Sequence, residues 1–125
     1  MSTQWIKALA TLSLFTVWTG CSKSQSTALT PLSDAEIKPV IEESFASASA
    51  STKADAGQYV QAMQSHDLPV ALDELQHLRT SRGLSPEQQA ALARAVITTT
   101  RNLQAAAEAG DQKAAAALHE YKMNH

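Results

Sequence analysis

The stretch Arg82-Gly83-Leu84-Ser85-Pro86-Glu87-Gln88 constrains this chain most, because it ends one helix and starts the next within seven residues. Gly83 suits the left-handed position that closes a helix, and Leu84 can fold back on Leu78. Ser85 has the hydroxyl an N-cap needs, Pro86 fits the first helical position, and Gln88 completes a capping box. On both sides of this junction apolar residues recur at spacings of three and four, the period of a helix with one buried face.

Upstream, Leu68, Ala71, Leu72, Leu75 and Leu78 form the strongest amphipathic stripe, predicting a helix over 68–81. His66-Asp67 is its corner, with Asp67 as N-cap and Pro69 tolerated in the first turn. Downstream, Leu92, Val96, Thr99, Leu103 and Ala106 track one stripe of the longest helix, over 86–109. The run Thr98-Thr99-Thr100 lowers its propensity slightly. Gly110-Asp111 ends that helix and caps a last one over 112–123, with Ala114, Ala117, Leu118 and Tyr121 inward.

Ser33-Asp34-Ala35-Glu36 is a second capping box, with Leu32 and Ile37 placed as a hydrophobic staple. It predicts a first helix over 33–47, whose face is Ile37, Val40, Ile41, Ser44 and Phe45. Pro39 either bends this helix or marks where its regular part begins. Ala46 to Ser51 reads as a frayed end and linker, because Ala and Ser alternate there with poor strand propensity. A helix over 53–65 follows, capped by Ser51 or Thr52, with Tyr59, Val60 and Met63 inward. Gly57 costs that helix about 1 kcal/mol relative to Ala.

The fold class is therefore all-α: four to five mainly antiparallel helices in one domain over 32–125. Its core is modest. Phe45, Tyr59 and Tyr121 are the only aromatic residues of that domain, and abundant alanine buries little area. Marginal stability, supplemented by self-association, is the expectation. Tyr59–Leu78 can be laid on Leu103–Lys122 at an offset of 44, which matches Ala62 with Ala106, Asp67 with Asp111 and Ala71 with Ala115. The corners faintly resemble tetratricopeptide-type hairpins. Three identities in twenty positions fit convergence of alanine-rich helices and their caps better than a repeat.

The start of the chain has a different character. Lys7 is the only charged side chain before an uncharged, mostly apolar run from Ala8 to Trp18, and small Thr19 and Gly20 precede Cys21. This is the secretory pattern, so residues 1–20 are expected to be a cleaved signal. A span is not expected, because eleven helical residues cover about 16 Å and a bilayer core is about 30 Å thick. Residues 21–31, polar and small after Cys21 and ending in Thr30-Pro31, read as a flexible tether.

Val17-Trp18-Thr19-Gly20-Cys21 resembles a bacterial lipobox, the processing site of a lipoprotein precursor. Bulky Trp18 stands where that family usually carries a medium aliphatic residue. The resemblance implies diacylglyceryl (palmitate-type) lipidation of the Cys21 thiol. It also implies cleavage between Gly20 and Cys21, which frees an amino group for acylation. A thiolate is the nucleophile such alkylation requires. Ser22, where an aspartate would signal inner-membrane retention, implies an outer-membrane location facing the periplasm in a Gram-negative host. Cys21 is the only cysteine, so an intramolecular disulfide is excluded.

From Cys21 onward nine Lys/Arg stand against twelve Asp/Glu, a net charge of −3 with His neutral. With no basic run, nucleic acid is not an expected partner. The histidines are His66, His77, His119 and His125, and no two lie three or four apart, so no helix offers a paired metal motif. His77 is placed to meet Asp73 one turn earlier. Glu42-Glu43 and Asp73-Glu74 are adjacent pairs that point about 100° apart on a helix, not acid/base dyads. No phosphate loop, nucleophile elbow or activated cysteine occurs, so neither enzyme activity nor a cofactor is expected, and the histidine spacing marks no metal-site residue. Two roles remain. One is a lipid-anchored helical interaction module of the cell envelope, binding an envelope protein or itself through an apolar groove. The other is a periplasm-facing carrier of a small ligand or metal.

Overall fold

The computed structural model describes residues 29–125. Five helices and no strand occur among the described residues: α1 Asp34–Ser44, α2 Ala50–Gln64, α3 Leu68–Arg79, α4 Pro86–Glu108 and α5 Gln112–Met123. None of them is long and apolar enough to cross a membrane. The predicted signal over 1–20, Cys21 and the tether up to residue 28 lie outside the described residues.

Local chemistry explains each boundary. In α1 the Ser33 N–H donates to Glu36 Oε2 at 2.9 Å, closing the capping box. This hydrogen bond, with that to the Ser33 side chain, holds the Glu36 carboxyl below its ordinary range. The helix runs on through Pro39, which stands exposed, so the carbonyl one turn back loses its intrahelical donor on the wet side. It ends at Ser44, three residues before the predicted 47, because Phe45 turns inward as its C-cap and is 1 % exposed.

The second helix corrects the expected linker. It begins at Ala50, with Ser49 as N-cap, rather than at 53. Ser49 Oγ accepts from the Thr52 N–H at 3.3 Å and donates to Thr52 Oγ1 at 3.0 Å. Alternating Ser and Ala supply both a cap and good helix formers, and the cap furthest upstream that packing allows captures the extra turn.

The corner α2–α3 and the corner α4–α5 share one backbone design. At the first, the His66 N–H meets the Met63 carbonyl at 3.2 Å and the Asp67 N–H meets Ala62 at 2.9 Å. At the second, Gly110 meets Ala107 and Asp111 meets Ala106, both at 3.0 Å. Each is a Schellman closure with a left-handed residue, His66 at φ 58° and Gly110 at φ 101°. An aspartate then caps the next helix at once: Asp67 Oδ1 reaches the Val70 N–H at 3.5 Å, and Asp111 Oδ1 those of Lys113 and Ala114 at 3.0 and 3.1 Å.

The helix bounds at these two corners repeat at the offset of 44, but the buried faces do not. α3 buries Ala71, Leu72, Leu75 and Leu78, whereas the matching positions of α5 are exposed and Ala114 and Leu118 are buried instead. The second hairpin is turned by roughly one residue about its axis, so shared capping chemistry, not a stacked repeat, accounts for the likeness.

The junction between α3 and α4 differs in detail from its sequence reading. α3 stops at Arg79 rather than 81, where Thr80 Oγ1 donates to the His77 carbonyl at 2.7 Å. Gly83, at φ 74°, is thus the left-handed residue of the following turn and not of the helix closure. Leu84 packs on the core cluster that holds Leu78, as its position suggested. Ser85 and Gln88 then close the second capping box at 3.1 and 2.9 Å.

α1, α2, α3 and α4 pack as a ring, each against the next and α4 against α1, while α5 lies on α3 and α4. Ile37, Ile41, Phe45, Tyr59, Leu75, Leu78 and Leu92 meet inside the ring. Leu72, Leu103, Ala114 and Leu118 make a smaller core under α5. α4 therefore serves two cores, and its length follows from that. Its three threonines are accommodated because Thr99 and Thr100 return their hydroxyls to the carbonyl four residues back, while Thr98 gives its own to the Leu32 carbonyl.

Candidate functional site

Two places on the described surface bring functional groups together. The larger is a cleft of about 580 Å³ between the end of α3, the outer face of α4 and the end of α5. Leu84, Leu92, Val96 and Ile97 give it apolar walls, and Arg79, Ser81, Gln89 and Tyr121 bring polar groups to it. The ring stripe of α4 turns Leu92 and Ala95 inward, and the i+4 and i+5 neighbours Val96 and Ile97 are left half-buried toward this side. Leu29 stands at the cleft and is 50 % exposed.

The residues leading into α1 are held there by α4. Arg94 Nε donates to the Thr30 carbonyl at 2.9 Å, and Thr98 Oγ1 to the Leu32 carbonyl at 2.8 Å. Leu32 itself is 2 % exposed in the core. The folded part thus takes in Leu29–Pro31, and the chain leaves it beside the cleft. Sequence reasoning missed this anchoring. Thr98 lies beside the predicted stripe of α4, not on it, so the apolar spacing gave no sign of its contact with Leu32.

The smaller place lies across the α2–α3 hairpin. His77 Nδ1 lies 3.5 Å from Asp55 Oδ2, so the predicted partner Asp73 is replaced by a residue of the neighbouring helix. The reason is helical phase. Asp73 faces the α5 side of α3 with Leu72 and Gln76, while His77 faces α2. Asp55 and His77 are each eleven residues from His66, so a tight antiparallel corner sets them at one height. That symmetry was available in the sequence. The adjacent acids Asp73 and Glu74 do diverge, Glu74 going to the Asp55 side.

The other singled-out residues stay apart. His66 lies exposed at its corner, His119 is exposed on α5, and the His125 ring lies 4.7 Å from that of Tyr121, tilted by 48°. Glu42 and Glu43 are solvated. Cys21 and Gly20, the expected lipidation and cleavage residues, lie outside the described residues.

One buried polar pair belongs to the scaffold. Tyr59 on α2 reaches across the ring to Thr99 on α4, Oη to Oγ1 at 2.9 Å, both residues fully buried. Thr99 gives its hydrogen to the Ala95 carbonyl at 2.8 Å, so Tyr59 is the donor between them. Burial pushes the Tyr59 hydroxyl up to about 12, with its contact to Thr99 a smaller, opposing influence. A phenol so protonated and enclosed has no access to a substrate. Compared with family models, with curated proteins and with solved structures, the chain matches none of them.

Proposed function

We propose that this chain is a lipid-anchored helical module of the cell envelope, carried by acylated Cys21, whose cleft at α3, α4 and α5 binds the apolar face of a partner protein. The observation that carries the reading is the position of the cleft at the exit of the chain. Leu29 lines it, and only eight residue-to-residue steps lead from Cys21 to Leu29. They reach at most about 28 Å, so a lipid on Cys21 would hold the cleft close to the membrane surface. Half-buried Leu84, Val96 and Ile97 offer a partner apolar contact, and Arg79 and Gln89 supply a polar rim of the kind interfaces use.

Two experiments test the two halves of this proposal. Labelled fatty acid should enter the chain in growing cells and fail to enter Cys21→Ala; label retained by that variant overturns the anchor. A photo-crosslinking residue placed at Ala93 in the cleft should trap one protein, or a second copy of the chain. The same residue at exposed Lys113 should trap neither. Equal patterns at both positions would remove the cleft as the binding surface.

A further inference from the structure

The α2–α3 hairpin carries a group of three side chains whose donor atoms converge. Asp55, Glu74 and His77 each place a carboxylate oxygen or imidazole nitrogen within 4.8 Å of the other two. Glu74 and His77 are three residues apart on α3 and share a face. Asp55 comes to them from α2 at the height set by the corner. Asp55 and Glu74 are half-buried and His77 is exposed, so the group opens to solvent on one side.

Its charge is uncompensated. Among the described residues no Lys or Arg pairs with either carboxylate, and the one ion-pair contact of Asp55 is His77 itself. The carboxylate oxygens and the imidazole nitrogen are therefore free to serve a cation as donors. The spacing suits a small ion. Donors about 2.1 Å from a tetrahedral metal stand about 3.4 Å apart. The Asp55–His77 distance of 3.5 Å already meets this, and a Glu74 carboxylate oxygen lies within 4.8 Å of both donors.

We infer that Asp55, Glu74 and His77 form a binding site for one divalent transition-metal ion, with Zn2+ the best match. One imidazole with two carboxylates favours Zn2+ and its first-row neighbours over Ca2+ and Mg2+, which take oxygen donors alone. Three protein donors leave a fourth position to water or to a donor from another molecule. The site is independent of the lipid anchor and lies apart from the cleft. The other hairpin offers a built-in comparison. Its corresponding residues are Thr99, Leu118 and Tyr121, which turn into the cores and leave no ligand set there.

The test is calorimetric titration of Zn2+ into the full chain bearing Cys21→Ser, which removes the competing thiol. One equivalent should bind. Affinity should fall about tenfold or more in Glu74→Gln and in His77→Ala, and stay unchanged in His119→Ala. Circular dichroism checks that each variant keeps its helices, and Co2+ absorption should show a four- or five-coordinate spectrum that Glu74→Gln loses. The inference is overturned by absence of binding up to about 100 μM Zn2+. Binding that Glu74→Gln and His77→Ala leave intact overturns it as well, as does Ca2+ binding as tight as Zn2+ and indifferent to His77→Ala.

Discussion

Replacing Thr99 with valine should damage this protein more than removing the tyrosine hydroxyl that points at it. The bond joins two fully buried side chains from opposite sides of the ring, and Thr99 is the hydrogen-bonding partner of Tyr59 Oη. Valine keeps the shape of Thr99 but leaves a buried phenol donor with no acceptor, which costs about 1–3 kcal/mol. Tyr59→Phe leaves Thr99 still donating to the Ala95 carbonyl, so only one exchangeable bond is lost, about 1 kcal/mol. In the double variant both polar groups are gone, and an apolar pair of similar shape is nearly neutral relative to the better single variant. The two singles therefore should not add, and the coupling should be about 1 kcal/mol or more. Urea unfolding followed by far-ultraviolet circular dichroism reads all four proteins. For a domain of this size each kcal/mol moves the thermal midpoint by about 4–8 °C. If Thr99→Val costs no more than Tyr59→Phe, or if the singles add, then Tyr59 is not the donor in a closed relay and the assignment fails.

The same phenol predicts a pH effect. Its folded value of about 12 lies above the ordinary 10, so its contribution is whole below pH 10 and is lost as pH rises through 12. Urea midpoints of wild type should fall more steeply above pH 10 than those of Tyr59→Phe; parallel curves would contradict this. At the two matched corners, His66→Gly should stabilise by about 0.5 kcal/mol, because left-handed strain of about 1–2 kcal/mol exceeds the added chain entropy. Gly110→Ala should destabilise by a similar amount, since a Cβ there meets nothing within 4 Å and only the backbone strain acts. Opposite signs in thermal melts check the pair. Leu75→Ala, at a position with no exposure in the main core, should cost about 2–5 kcal/mol by denaturant titration. Ser49→Ala should cost about 1 kcal/mol and fray α2 back toward residue 53, visible as faster amide exchange over 52–55.

Much of the fold was legible because helices record their ends locally. Ser33 with Glu36, Ser85 with Gln88, and Asp67 and Asp111 at their corners all act within three residues of themselves. The predicted bounds 112–123 are those of α5, and the inward faces of α2, α3 and α5 hold Tyr59, Leu75 and Leu118 as expected. The misreadings occurred where local chemistry offered several equal answers. Any serine between 47 and 51 could cap α2, and Gly83 could close α3 or a later turn. Packing chose Ser49, and the Thr80 hydroxyl ended α3 first.

The candidate sites were less legible, for a related reason. Leu29 at the cleft, Arg94 on Thr30, Thr98 on Leu32 and Tyr59 on Thr99 join residues 40 or more apart in the chain. The expected groove depends on which flank of α4 is left uncovered once α5 has settled. Asp55 meets His77 because a tight corner equalises their heights and α3 turns His77, not Asp73, toward α2. Capping patterns and apolar spacing prescribe where each helix starts, stops and wants to be dry, since those interactions span one turn. The rotation of each helix about its axis belongs to the assembled bundle. One residue of that rotation moves a side chain by about 100°, enough to separate a core leucine from a ligand to a metal.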